Sequence, residues 1–125
     1  MSTLDIWTYR SETYMQRDLT GKTVEALDGS IGKIDEATDD VGSSYIVVDT
    51  GPWVLGKKVL LPAGVIVHVD FDSETVFVNR TKEQITNAPQ YDEAKMRDQA
   101  ARKRYKSALS SYYGPQGRGY RENGR

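Results

Sequence analysis

His68 is the only imidazole among 125 residues, which makes it the first candidate for acid or base work near neutral pH. Along an extended segment it shares a face with Asp70, a face that looks to solvent, so an ordinary surface role is the plainer reading. Carboxylates pair at Asp35-Glu36 and Asp39-Asp40. Adjacent strand residues point to opposite faces and turn residues are solvated, so these pairs read as turn and solubility chemistry. An acidic loop offers oxygens to calcium, but the spacing of an EF-hand is absent. Gly29-Ser30-Ile31-Gly32-Lys33 has the look of a phosphate loop; its glycines stand too close together, however, and Ile34 follows the lysine where a Ser or Thr is needed. The chain has no cysteine, which excludes disulfides, thiolate zinc sites and a cysteine nucleophile. No catalytic, cofactor-binding or metal-ligating set is expected, and the chain reads as a non-enzyme without a cofactor.

Two groups suit binding better than catalysis. Trp53 with Lys57 and Lys58 sets an aromatic face beside two cations, an arrangement suited to stacking and anion contact, although a tryptophan after a Gly-Pro corner also fits a core or barrel-end position. Arg102, Lys103, Arg104, Tyr105 and Lys106 combine charge with an aromatic ring, as nonspecific nucleic-acid contacts do. From Glu93 onward nine bases stand against three acids, a charge of +6, while the preceding 92 residues carry −7. Such asymmetry predicts either a basic interaction tail or a tail that folds back on its acidic body. A basic amphipathic helix also suits anionic lipid, but alanine and tyrosine make a thin apolar face for that.

These residues need elements to hold them. Residues 23–27, 31–38, 45–50, 53–61, 65–71 and 75–79 are short, β-branched or aromatic, and separated by turn signals such as Asp28-Gly29, Gly51-Pro52 and Pro62-Ala63-Gly64. On the fifth of them Val65, Val67, Val69 and Phe71 alternate with Ile66, His68 and Asp70, so Val67 is expected inside, along with Val47, Val59, Val69 and Val76, while the Asp39-Asp40 turn is expected exposed. Six strands with no long helix between them predict an all-β domain, and closure into a small six-stranded antiparallel barrel is the economical answer to exposed edges. Asn79-Arg80-Thr81 fits a glycosylation pattern but reads better as a strand end followed by a helix cap, since Thr81 and Gln84 form a capping-box pair. Asp92 is the expected cap of a helix from Glu93 to about Tyr112, with Ala101, Tyr105, Ala108, Leu109 and Tyr112 on one face. The predicted organisation is an irregular lead-in at 1–17, whose aromatics pack across the end of the barrel, a barrel at 18–92, a basic amphipathic helix at 93–113 and a disordered tail at 114–125.

Gly21-Lys22 before the first strand, Asp28-Gly29 with Gly32-Lys33, the Asp49-Thr50-Gly51 corner, the Leu61-Pro62 strand exit and the 82–89 segment together resemble the PRC-barrel family, particularly its single-domain bacterial members. The resemblance spans residues 18–92, about three-fifths of the chain. It implies a barrel that serves as a binding or assembly platform. In that family the barrel occurs in a photosynthetic reaction-centre subunit, in a ribosome maturation factor where it contacts a ribosomal protein, and in archaeal division-associated proteins, with no common reaction. The expected partner is therefore another protein or a second copy of this chain, with nucleic acid as the alternative through the basic tail. The opening residues lack the basic start and apolar run of a secretory signal, and no stretch suggests a membrane span, so a cytoplasmic location is expected.

Overall fold

Strand formation follows the β-branched residues, whose stiff side chains pack well on a pleated surface. The computed structural model describes residues 6–11, 14, 17–38, 44–51 and 58–114. Within them β1 (Thr23–Ala26), β2 (Gly29–Ala37), β3 (Tyr45–Asp49), β4 (Lys58–Pro62), β5 (Ile66–Asp70) and β6 (Thr75–Val78) form one sheet in the order β4-β3-β2-β1-β6-β5. Three helices follow: α1 (Lys82–Thr86), α2 (Glu93–Arg97) and α3 (Gln99–Tyr113).

The fold is β-rich with six strands and a C-terminal helix, but the expected closed antiparallel barrel is corrected in two respects. The sheet is mixed, because β1 and β6 run parallel with Val24 opposite Val76. Nor does any ladder join β4 to β5 among the described residues. The sheet nonetheless curls strongly. Only Ala63–Val65, a single 3-10 turn, connects β4 to β5. In a flat six-stranded sheet those two edges would stand about 24 Å apart, whereas the four Cα steps from Pro62 to Ile66 reach at most about 14 Å. The two ends of the sheet must therefore approach each other. Bulges that shift the register at Val24/Glu25, Ile34/Glu36 and Ile66/His68 supply the bending. At the β4 edge, Lys58, Val59 and Leu60 face Ile85, Thr86, Ala88, Pro89 and Gln90 across a cavity of about 100 Å³, so the chain that follows β6 lies against the opposite end of the sheet.

Local chemistry explains the corners. The first hairpin turns through Leu27 and Asp28, one residue earlier than Asp28-Gly29 suggested, and Gly29 is already paired with Ala26. Asp28 then caps the start of α1, its Oδ1 accepting from the Lys82 N–H at 2.9 Å. Gly32 has φ +150°, and a methyl group there would overlap the Asp49 carbonyl oxygen, so β2 and β3 meet only because this residue has no side chain. Thr81 and Gln84 make both bonds of the expected capping box.

One core unites the parts. It takes Val24, Ile31, Ile34, Ile46, Val48, Leu60, Leu61, Ile66, Val76 and Val78 from the sheet, Ile6, Trp7 and Tyr9 from the lead-in, and Tyr105, Leu109 and Tyr113 from α3. Trp7 and Tyr9 of the lead-in are buried in this core, and the segment is tied by Ser44 N–H to Trp7 O (2.8 Å), Gly64 N–H to Ile6 O (2.7 Å) and Tyr9 OH to Thr38 O (2.6 Å). Val47, Val69 and Val76 are buried and Val59 half-buried, but Val67 is 39% exposed. The bulge accounts for this correction: Ile66 pairs with Val78 and His68 with Phe77, so Val67 is the extra residue and the alternation slips at that point. The Asp39-Asp40 turn lies outside the described residues.

The single helix expected from Glu93 onward is two helices. Asp98 is extended (φ −93°, ψ 121°) and its side chain accepts from the Ala101 N–H at 2.8 Å, so it caps a new helix where an uninterrupted one would leave its carboxylate without that bond. Asp92 caps α2 through the Ala94 N–H, as its position suggested.

Urea unfolding distinguishes the bulged strand from the simple alternation. Val76→Ala should lower stability by about 1–3 kcal/mol, while Val67→Ala should stay within about 0.5 kcal/mol of the parent. Equal losses at the two positions would mean that Val67 faces the core after all.

Candidate interaction surface

A 15-residue helix is marginal in water by itself, so α3 depends on what it packs against. Tyr105, Leu109 and Tyr113 recur every fourth residue, which aligns them along one face, and all three are buried. Tyr113 thus takes the place expected for Tyr112, which is 42% exposed yet still donates its hydroxyl to Gln84 O at 2.6 Å. Further bonds fix the helix along its length. Trp7 Nε1 donates to Ser110 Oγ at 2.7 Å, and Arg80 donates to Tyr113 O at 2.8 Å. Lys106 lies 4.6 Å from the Trp7 ring centroid and 5.6 Å from that of Tyr45, near enough for cation–π attraction.

This docking sorts the candidate residues. Tyr105 belongs to the core, and its hydroxyl reaches only Pro89 O, at 3.4 Å. Arg102, Lys103 and Arg104 are exposed, and among the described residues none of them pairs with a carboxylate. Arg97 pairs with Glu93 at 3.5 Å, both side chains in water, an interaction worth little. Lys58 opens β4 and meets Asp35 at 2.9 Å, and the Asp35 carboxylate raises its pKa. Trp53 and Lys57 lie outside the described residues, so the aromatic-cation group reduces here to Lys58 alone.

The catalytic candidates are dispersed. His68 is exposed on β5 and stacks on Phe77, with centroids 5.8 Å apart. Asp70 is held below the usual carboxylate range, first by the backbone N–H of Ser73, because it caps its own turn. Among the described residues no cluster of three or more His, Asp or Glu side chains is set to hold a metal, and no helix is long and apolar enough to cross a membrane. Asn79 of the glycosylation pattern is buried, with its Oδ1 accepting from Arg80.

Sequence reasoning missed Arg80. The residue is 7% exposed, and burial above all lowers its pKa. An arginine between a strand and a helix cap normally reaches water, and nothing in its neighbours' types reveals that the end of α3 arrives to cover it. Trp7 carried more signal, as an aromatic within a polar lead-in. No protein-family model matches the chain, and no curated protein does either.

Docking energetics and surface charge separate cleanly in mutants. Leu109→Ala should cost about 2–5 kcal/mol, whereas replacing Arg102, Lys103 and Arg104 together by glutamine should change stability by less than about 0.5 kcal/mol each. Thermal unfolding compares the two, and a larger loss from the triple glutamine variant would reverse the assignment of faces.

Alkaline titration tests the same packing. Burial raises the phenol pKa of both Tyr105 and Tyr113 above the ordinary value of 10.0. The folded state holds these protons more tightly than the unfolded chain, so the stabilisation is complete below about pH 10 and is lost as pH rises beyond it. Unfolding midpoints measured from pH 8 to 11 should fall above pH 10, and Tyr105→Phe should flatten that fall. An unchanged slope would place Tyr105 in solvent.

Proposed function

We propose that the chain is a non-catalytic protein-binding or self-assembly module, with the curled sheet as scaffold and the docked C-terminal helix as its working surface. One observation carries the reading: α3 commits Tyr105, Leu109 and Tyr113 to the body and leaves Arg102, Lys103 and Arg104 in water without carboxylate partners among the described residues. Three consecutive cations fan around the outer side of a packed helix whose backbone is already ordered, so an acidic surface that binds them has only their side chains left to fix. The resemblance to PRC-barrel proteins supports the scaffold half of the proposal, as does the short link that brings β4 and β5 near each other. Full closure of the barrel and action in the cytoplasm belong to the same proposal.

The same exposed cations favour one second reading, contact with RNA or DNA. Phosphate binding by several cations has a diagnostic salt response, because each neutralised phosphate releases counterions.

Deleting 93–125 would strip three core residues, so charge variants are the proper probe. Cross-linking of the full chain in source-cell extract, with and without Arg102→Gln, Lys103→Gln and Arg104→Gln, should show a protein or self-adduct that the triple variant loses. Titration of a mixed-sequence oligonucleotide at two salt concentrations runs beside it. A monomer with no adduct but steep, salt-sensitive oligonucleotide affinity would replace the protein reading with the nucleic-acid one.

A further inference from the structure

Where the lead-in, the end of β6 and the C-terminus of α3 converge, two arginines have no carboxylate partner among the described residues and one buried phenol has no hydrogen-bond partner. Arg80 is 7% exposed, and its guanidinium donates to Asn79 O at 3.1 Å, Asn79 Oδ1 at 2.5 Å and Tyr113 O at 2.8 Å, all neutral acceptors. Arg10 donates Nε–H to Gly64 O at 3.1 Å, which leaves its terminal fork of two amino groups uncommitted. Neither arginine pairs with a carboxylate among the described residues. Tyr113 is 3% exposed, and its hydroxyl is the one buried side-chain polar atom there without a hydrogen-bond partner.

The three belong to one neighbourhood. The Arg80 guanidinium carbon lies 5.5 Å from the Tyr113 ring centroid. The Asn79 N–H donates to Val65 O at 3.0 Å, next in sequence to the Gly64 that holds Arg10. Burial lowers the Arg80 pKa first, and the nearby Arg10 charge lowers it further.

We propose that Arg10, Arg80 and Tyr113 form a binding site for a single oxyanion, a phosphate or carboxylate group, approached from solvent along the exposed side chain of Arg10. The free fork of a guanidinium matches the two oxygens of such a group. Arg80 adds a second positive charge from a buried position, where interactions are weakly screened. The phenol supplies a hydrogen bond that nothing now accepts, and a bound ion or water is one of the explanations an unpaired buried polar atom calls for. All three groups donate, so a cation has no place among them. The negative end of α3 opposes an anion by about half a charge, but Arg80 already sits on its last carbonyl, and two full cations outweigh it. The site is separate from the basic face of α3 and does not rest on the function proposed for it.

Thermal unfolding and calorimetric titration of the full chain, in sodium phosphate, sodium acetate and sodium chloride at matched ionic strength, test the proposal. Phosphate or acetate should raise the midpoint saturably where chloride does not, and which of them acts tells phosphate from carboxylate. Arg10→Gln, checked for fold by circular dichroism, should weaken the response about tenfold, as loss of a charged hydrogen bond does. Tyr113→Phe should fold at least as stably as the parent in chloride, since it removes an unsatisfied hydroxyl, yet respond more weakly to the anion. Identical curves in the three salts, or a response that survives Arg10→Gln unchanged, would overturn it.

Discussion

A guanidinium buried at the exit of β6 is the constraint on which the two halves of this protein depend. Arg80 gives up most of its hydration, a loss that is tolerable only where acceptors replace water. Asn79 supplies two of them and the last turn of α3 supplies the third. A cation also suits that end of a helix, where carbonyls point outward without partners of their own. The dependence is mutual: without α3 the arginine would reopen to water, and without the arginine the final carbonyl of a buried helix end would lose its donor. The sheet and the basic helix therefore share one core and one buried polar link, although their compositions differ sharply.

Curvature is the second organising fact. Three bulges bend the ladders, Gly32 lets β2 pass close to the Asp49 carbonyl, and a connection of only three residues draws the two ends of the sheet together. The result encloses one core that a flat sheet of this size would leave half open, and it leaves the gap beside β4 to α1 and the residues after it instead of to a hydrogen-bonded ladder. Bulges also carry a cost in regularity, visible where Val67 and His68 both turn outward on β5.

Charge is distributed according to the same geometry. The helix that carries the positive end of the sequence commits Tyr105, Leu109 and Tyr113 to the body, and Arg102, Lys103 and Arg104 are left outside. Lys106 is the exception, drawn inward over Trp7 and Tyr45, where its stem covers apolar surface and its ammonium meets two ring faces. Docking on the body and exposing cations are thus not alternatives for this helix, because different side chains do each.

Much of the local structure was determined by residue type and spacing alone. Six strands, the Thr81–Gln84 capping box and the Asp92 cap follow from propensity and from side chains that bond their own backbone, interactions that span a few residues and so are legible in order along the chain. The parallel pairing of β1 with β6, the bulge that expels Val67, the break at Asp98 and the burial of Arg80 were decided by tertiary structure. Each depends on which distant segment arrives beside the residue. Arg80 meets Tyr113 across 33 positions and Trp7 meets Ser110 across 103, and no local period encodes such meetings, because they are set by the packing of one shared core around a curled sheet.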